Sequence, residues 1–396
     1  METELGFLLD LALILLSTKA LGIFTKKIQM PQVVGALLAG LILGPACLDI
    51  LQETDFITEC SKIGVIVLMF SAGLETDLKG LKKCGFAALV IALLGVIIPC
   101  IGGYGLAYIY NDRIIPSDAT ANILFQNIFI GVILTATSVS ITVETLKELG
   151  KLNTDAGTAI MGAAIIDDIL GIIALTVITG IGNPESDANV GEVLIKIVAF
   201  FVIAGIVGFL FYKLFKSWTD VAGEDKRRYV IVSFVFCLLM AYVAEVYFGV
   251  ADITGAYLAG LVISQTARKE YIEKRFSVLS YLMLSPIFFA SIGIKVKLPS
   301  MTKDIIIFTV LIIIVATITK IIGCGIGAKC FKYSTKECIQ IGAGMVSRGE
   351  VALVVMDKGG TALMPSSLQG SIVIMVVATT IVAPILLKIF FKDKAK

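Results

Sequence analysis

The chain has 396 residues, 57% of them hydrophobic and only 16% charged, against roughly 25% charged in an average soluble domain. A soluble fold has no way to hide that much apolar surface. A formal net charge of +2 says little about partners, because in such a chain the distribution of charge matters more than its sum.

Apolar stretches long enough to cross about 30 Å of hydrocarbon as helix recur throughout. In chain order they predict helices over 5–24, 31–50, 57–76, 85–110, 121–146, 156–180, 192–217, 229–248, 251–266, 276–295, 304–328, 337–357 and 368–390. The expected fold is an all-α integral membrane protein of about 13 transmembrane helices. No segment between them is long enough to fold alone, so residues 1–396 read as a single membrane transporter domain. The first apolar stretch follows Met-Glu-Thr-Glu rather than a basic run, and reads as a retained helix rather than a signal peptide. Most of the eight cysteines fall within apolar segments, as Cys47, Cys100, Cys237 and Cys324 do, without CxxC or metal-ligand spacing. They read as small buried residues, and no cofactor is expected.

The loops alternate in charge. Those at 25–30, 77–84, 144–155, 213–228, 267–275 and 328–336, with the tail from Lys388, hold 23 of the 33 Lys and Arg. The opposite set holds Arg113, Lys295, Lys297, Lys303, Lys358 and, at a helix mouth, Lys62. The positive-inside rule then puts the N-terminus outside and the C-terminus in the cytoplasm of a plasma-membrane protein. An odd number of crossings is what those two ends require.

Residues 35–44 read GALLAGLILG and residues 255–264 read GAYLAGLVIS, an offset of 220. The same offset aligns FSAGLETDL at 70–78 with ASIGIKVKL at 290–298. Helices two and nine are seven crossings apart, so the copies enter the membrane from opposite sides. This predicts an inverted repeat, with copies of approximately 31–180 and 251–390, the arrangement from which secondary transporters build two access states around a midplane site. Close packing of similar small-residue helices is the competing explanation.

Five ionisable residues lie near helix centres: Asp167, Asp168, Lys320, Arg348 and Glu350. Each costs at least about 2.5–3.5 kcal/mol on insertion scales and so needs a partner or a task. Adjacent carboxylates point about 100° apart on a helix, so Asp167 and Asp168 cannot share one partner. One is expected to take a cation or proton in a wet cavity while the other meets Lys320; a structural pair beside a neutral buried acid is the plainer reading. Two helices read as broken at mid-membrane: helix five at Thr135-Ala136-Thr137-Ser138-Val139-Ser140, and helix twelve at Gly342-Ala343-Gly344 and Ser347-Arg348-Gly349-Glu350. Unwound backbone is tolerated at that depth only against protein or a cavity. The Thr137 and Ser138 hydroxyls are candidate cation ligands, against simple back-bonding to their own helix. Arg348 and Glu350 either compensate half-helix dipoles or form a structural ion pair. Glu75 and Asp77 at one helix end, with Asp10 and Glu245 towards the other side, read as solvated or interfacial.

An intramembrane aspartyl protease also needs two buried acids, but from two helices that converge on one proton, whereas these are neighbours on one helix. An enzyme is therefore not expected. A channel is separated from an exchanger by flux, since an exchanger stalls without its counter-ion.

Together GALLAGLILGP, FSAGLETDL, TATSVSIT, GAAIIDDILG at 162–171, the GAYLAGLVIS repeat, Thr319-Lys320 and SRGEVAL at 347–353 resemble the bacterial and archaeal cation:proton antiporters with a tandem Asp motif, across the whole chain. The resemblance implies sodium/proton exchange, with lithium as a second ion, by a homodimer in the bilayer whose panel of helices forms the interface and whose mobile bundle carries the ion. It assigns ion and proton binding to Asp168, pairs Asp167 with Lys320, and puts Thr137 and Ser138 on the crossover helix. Tandem-Asp members are generally electrogenic. The alternative is a K+/H+ antiporter of the potassium-efflux type. Members of that type add a nucleotide-binding domain, and no strand-helix glycine fingerprint follows helix thirteen here. The partners expected are cations, protons and lipid, not nucleic acid.

Overall fold

The structure is a computed structural model that describes residues 5–27, 30–76, 78–182, 190–221, 227–296 and 302–392. Each predicted span has a helical counterpart. Among the described residues, nine helices are long and apolar enough to cross a membrane unaided: α1 (Gly6–Lys27), α3 (Asp55–Glu75), α4 (Leu78–Tyr110), α7 (Asp155–Gly182), α8 (Val190–Val221), α9 (Arg227–Phe248), the composite α11 (Lys269–Leu279) and α12 (Ser285–Ile294), α13 (Lys303–Cys330) and α16 (Ser366–Phe391). The other four crossings are short or broken: α2 (Gln32–Leu43), α5 (Ile123–Ile133) with α6 (Val139–Glu148), α10 (Asp252–Ile263), and α14 (Thr335–Gly344) with α15 (Glu350–Leu363). The chain is a multi-pass, all-helical membrane protein.

Three of the differences from the expected spans have identifiable reasons. The second span ends at Leu43 rather than residue 50, because Gly44 turns extended ahead of Pro45, and a residue before proline is pushed out of the helical region. Cys47 consequently lies in a loop and is exposed, not within a helix. The tenth span begins earlier, at Lys269, and passes through a π-helical stretch, Ser280–Leu284, before Pro286; the wider turn accommodates a residue that cannot donate to the helix ladder. In the twelfth span Gly342-Ala343-Gly344 stays helical within α14 and the break falls at residues 345–349. Gly342 serves close approach instead, since a Cβ there would lie 2.6 Å from the Ile321 carbonyl oxygen.

The helices pack as two bundles, one of α1–α3 with α8–α12 and the other of α4–α7 with α13–α16, with fewer contacts between them. Glycines carry the tightest crossings of the first bundle. A Cβ on Gly40 would collide with the Ala290 carbonyl, and one on Gly293 with the backbone of Leu37 and Leu41. A Cβ on Gly260 would collide with the Phe70 carbonyl, and one on Gly73 with the backbone of Tyr257 and Leu261. Every residue in the second set is displaced by 220 from its counterpart in the first.

Candidate functional site

The second bundle brings its two broken helices face to face. At residues 134–138 and 345–349 the freed backbones bond each other: the Ser138 N–H donates to the Ser347 carbonyl at 2.7 Å, and the Ser347 hydroxyl donates to the Ser138 carbonyl at 2.8 Å. Thr142 donates to the Gly344 carbonyl at 2.7 Å, so the end of α14 is satisfied from α6. The Thr137 hydroxyl has a long 3.4 Å bond to the Met345 carbonyl and also sits beside the Asp167 carboxylate. Ser138 shares a 3.3 Å contact with Ser140. Thr135 alone of the three hydroxyls at 135–138 bonds back to its own helix, at the Val132 carbonyl.

Two cations neutralise the carbonyl-rich ends that meet there. Arg348 is fully buried and donates to the carbonyls of Val346 (2.7 Å), Leu134 (2.7 Å) and Ala316 (3.0 Å); these include the C-terminal end of α5, where the helix dipole is negative. Its own carbonyl accepts from the Thr380 hydroxyl of α16. The Glu350 backbone opens α15, but its side chain, and with it the expected pairing with Arg348, lies outside the described residues, as does Asp77.

Lys320, fully buried on α13, spends all three protons on α4, α7 and the link between α5 and α6. Its ammonium donates to Gly95 O at 2.8 Å, Thr135 O at 2.7 Å and Asp167 Oδ1 at 2.9 Å. The Gly95 carbonyl is free because the residue four positions on is Pro99, which has no N–H to give it. The Thr135 carbonyl is free because α5 has already ended. The lysine thus fills two gaps in helix ladders as well as meeting a charge.

Asp167 and Asp168 then part company. Asp167 is 2% exposed and ion-paired with Lys320, whereas Asp168 is 9% exposed and makes no hydrogen bond or ion pair with the other described residues. The sequence pattern gives no sign of Thr380 or of the proline-freed carbonyl as a lysine partner, and it marks Ser347 and Thr142 only as members of the break and of the TATSVSIT motif. Pro99 inside an apolar run was the available signal for the freed carbonyl itself. Glu75, expected to be solvated or interfacial, is half-buried at its helix end and pairs with Lys147 at 2.8 Å.

Comparison with known proteins agrees with this architecture. Over 395 residues the chain is 38% identical to the Na(+)/H(+)-K(+) antiporter GerN of Bacillus cereus, covering 99% of this chain and 98% of GerN. It is 35% identical over 392 residues to a Na(+)/H(+) antiporter of Enterococcus hirae, covering 96% and 97%. Among solved structures, the sodium proton antiporter MjNhaP1 of Methanocaldococcus jannaschii shares the fold, with a TM-score of 0.73 at 19% identity over 98% of this chain and 96% of that one. The family profile described as "Sodium/hydrogen exchanger, transmembrane" matches residues 12–393, and the chain belongs to that family.

Proposed function

We propose that the protein is a secondary antiporter that exchanges sodium for protons at Asp168. The observation that carries this reading is the different fate of two neighbouring carboxylates. Asp167 is held by Lys320 and touched by Thr137 of the crossing, while Asp168, next along α7, makes no hydrogen bond or ion pair with the other described residues. An unpaired carboxylate at that depth is expensive unless a proton or a cation neutralises it. Proton and cation then compete for one group, and the empty, charged site is the form that does not cross, because carrying bare charge through a dry barrier is costly. That rule is sufficient to couple the two fluxes.

Thr137 and Ser138 supply oxygens near the site, and Lys320 and Arg348 hold the broken backbone around it. The recurrence of the Gly40–Gly293 crossing as Gly260–Gly73 supports an inverted repeat, with two related halves alternating about the site. The loop-charge bias supports an outside N-terminus and a cytoplasmic C-terminus, and the resemblance supports a homodimer and electrogenic exchange. GerN is described as exchanging potassium as well as sodium, which makes potassium the second ion to test.

The test is reconstitution with sodium, lithium and potassium supplied separately. Asp168→Asn should fold and lose cation-driven proton movement, because an amide does not release the proton. Sodium-driven proton flux retained in that variant would overturn the site assignment.

A further inference from the structure

A cavity of about 570 Å³ opens between the two bundles near the C-terminal end of α6, away from the crossing. Its lining includes apolar surface from Ala36 and Phe289 and four charged side chains: Lys19, Glu144, Lys147 and Glu148. Three of those charges are committed. Lys19 lies over the Tyr281 ring at 3.9 Å, Lys147 is paired with Glu75, and both Glu148 oxygens accept the Gln32 N–H, at 2.9 and 2.8 Å. Glu144 is the exception. Its carboxylate makes no hydrogen bond or ion pair with the other described residues, although it faces a cavity inside a membrane protein.

The position of Glu144 on α6 adds a second argument. It lies four residues after Ser140, on the same helix face, and the Ser140 hydroxyl contacts Ser138 at the crossing. One face of a single half-helix therefore carries oxygens from the cavity to the broken backbone, whose Thr137 touches Asp167. Thr18, Gln32 and Ser285 line the same cavity and offer further oxygens, the ligand type that a small hard cation takes.

We propose that this cavity is a second docking site for the transported monovalent cation, which Glu144 holds before it reaches Asp168; the inference rests on the antiport reading above. The Glu144 carboxylate stands among apolar walls without a hydrogen bond or ion pair to the other described residues, a setting in which it attracts a cation more strongly than it would in bulk water. The site faces the lysine-rich, cytoplasmic side, so its effect is one-sided.

The experiment uses the full chain in vesicles of one orientation. Glu144→Gln should raise the apparent KM for sodium supplied at the Glu144 face by about five- to tenfold, with the opposite face as internal reference, while Glu144→Asp stays within about twofold of the parent. An unchanged KM at that face in Glu144→Gln overturns the proposal. Should Glu144→Gln fail to fold, thallium(I) soaked into crystals of the parent protein decides the matter: an anomalous peak at the Glu144 carboxylate supports the site and its absence overturns it. The two readings fail separately. Exchange surviving in Asp168→Asn defeats the transport site, whereas an inactive Asp168→Asn with a parent-like Glu144→Gln defeats only the docking site.

Discussion

Pro99 and Lys320 meet at one carbonyl: the proline cannot donate to Gly95 O, and the lysine ammonium bonds it at 2.8 Å in place of the missing N–H. A helix defect in α4 is thereby converted into a socket for a charge on α13. Pro99→Ala should restore the α4 N–H, which then competes with Lys320 for the same oxygen. Losing one charge-assisted hydrogen bond of about 1.5–3 kcal/mol should slow exchange by about tenfold or more. Sodium-driven proton flux measures it, and a parent-like rate would mean that the Gly95 carbonyl does not position the lysine.

The spans were legible in the sequence because insertion into hydrocarbon demands long apolar runs, and Asp167, Asp168 and Lys320 stood out because charge inside such runs is conspicuous. The partners were harder to read. Gly95 and Lys320 are 225 positions apart, and a pattern of side chains does not display carbonyls that have lost their donors. Arg348 reads as compensating half-helix dipoles or pairing with Glu350, and in the structure it bonds three backbone oxygens, Leu134 at the end of α5 among them. Glu144 was hidden by its setting, in the polar half of a broken helix beside Lys147 and Glu148, where charge looks unremarkable until the cavity and the committed neighbours are seen.

The glycine crossings predict a sharp positional contrast. Gly40→Ala would push a methyl group into the Ala290 backbone, and overpacking of this kind costs about 1–3 kcal/mol. At Gly105, on α4, a methyl group would meet nothing within 4 Å, so Gly105→Ala should be neutral or gain up to about 1 kcal/mol of helix propensity. Thermal unfolding in detergent should lower the midpoint for the first and not for the second.

Arg348 should tolerate no replacement fully. Alanine would leave the Leu134, Val346 and Ala316 carbonyls without this donor at a depth where water is scarce, each unsatisfied group costing several kcal/mol. Lysine keeps the charge but lacks the planar fork that reaches three oxygens. Folded yield and thermal midpoint should therefore fall in the order Arg348, Arg348→Lys, Arg348→Ala, and equal stability of the lysine and parent proteins would show that charge alone suffices.

The bundles are tied near the cavity by adjacent residues of α6, Lys147 to Glu75 and Glu148 to the start of α2. The Lys147–Glu75 pair is about a fifth exposed on each side, so it contributes about 1 kcal/mol. Lys147→Met should shift the population towards the state open at that face by about fivefold. An Ala36→Cys probe lining the cavity should then react faster with a membrane-impermeant maleimide, and exchanging the charges, with Lys147→Glu and Glu75→Lys together, should slow it again. No change in labelling would assign the pair to surface packing only.

Lys320 and Asp167 offer the most demanding test, because their pairing makes separate predictions for stability and for charge movement. Removing one partner of a buried pair strands the other charge and costs about 3–5 kcal/mol, whereas removing both is often neutral. Lys320→Met should therefore unfold at a markedly lower temperature than the parent, and adding Asp167→Asn should recover most of that loss even though the double variant carries neither charge. If Asp167→Asn gives no recovery, the lysine is held chiefly by the Gly95 and Thr135 carbonyls rather than by the carboxylate. Transport separates the roles further. If Lys320 carries a second proton in electrogenic exchange, removing its amine removes the net charge moved. Lys320→Gln should then exchange without voltage dependence. Sodium uptake into vesicles clamped at different membrane potentials decides it: voltage dependence that survives intact in Lys320→Gln would place the second proton on Asp167 instead.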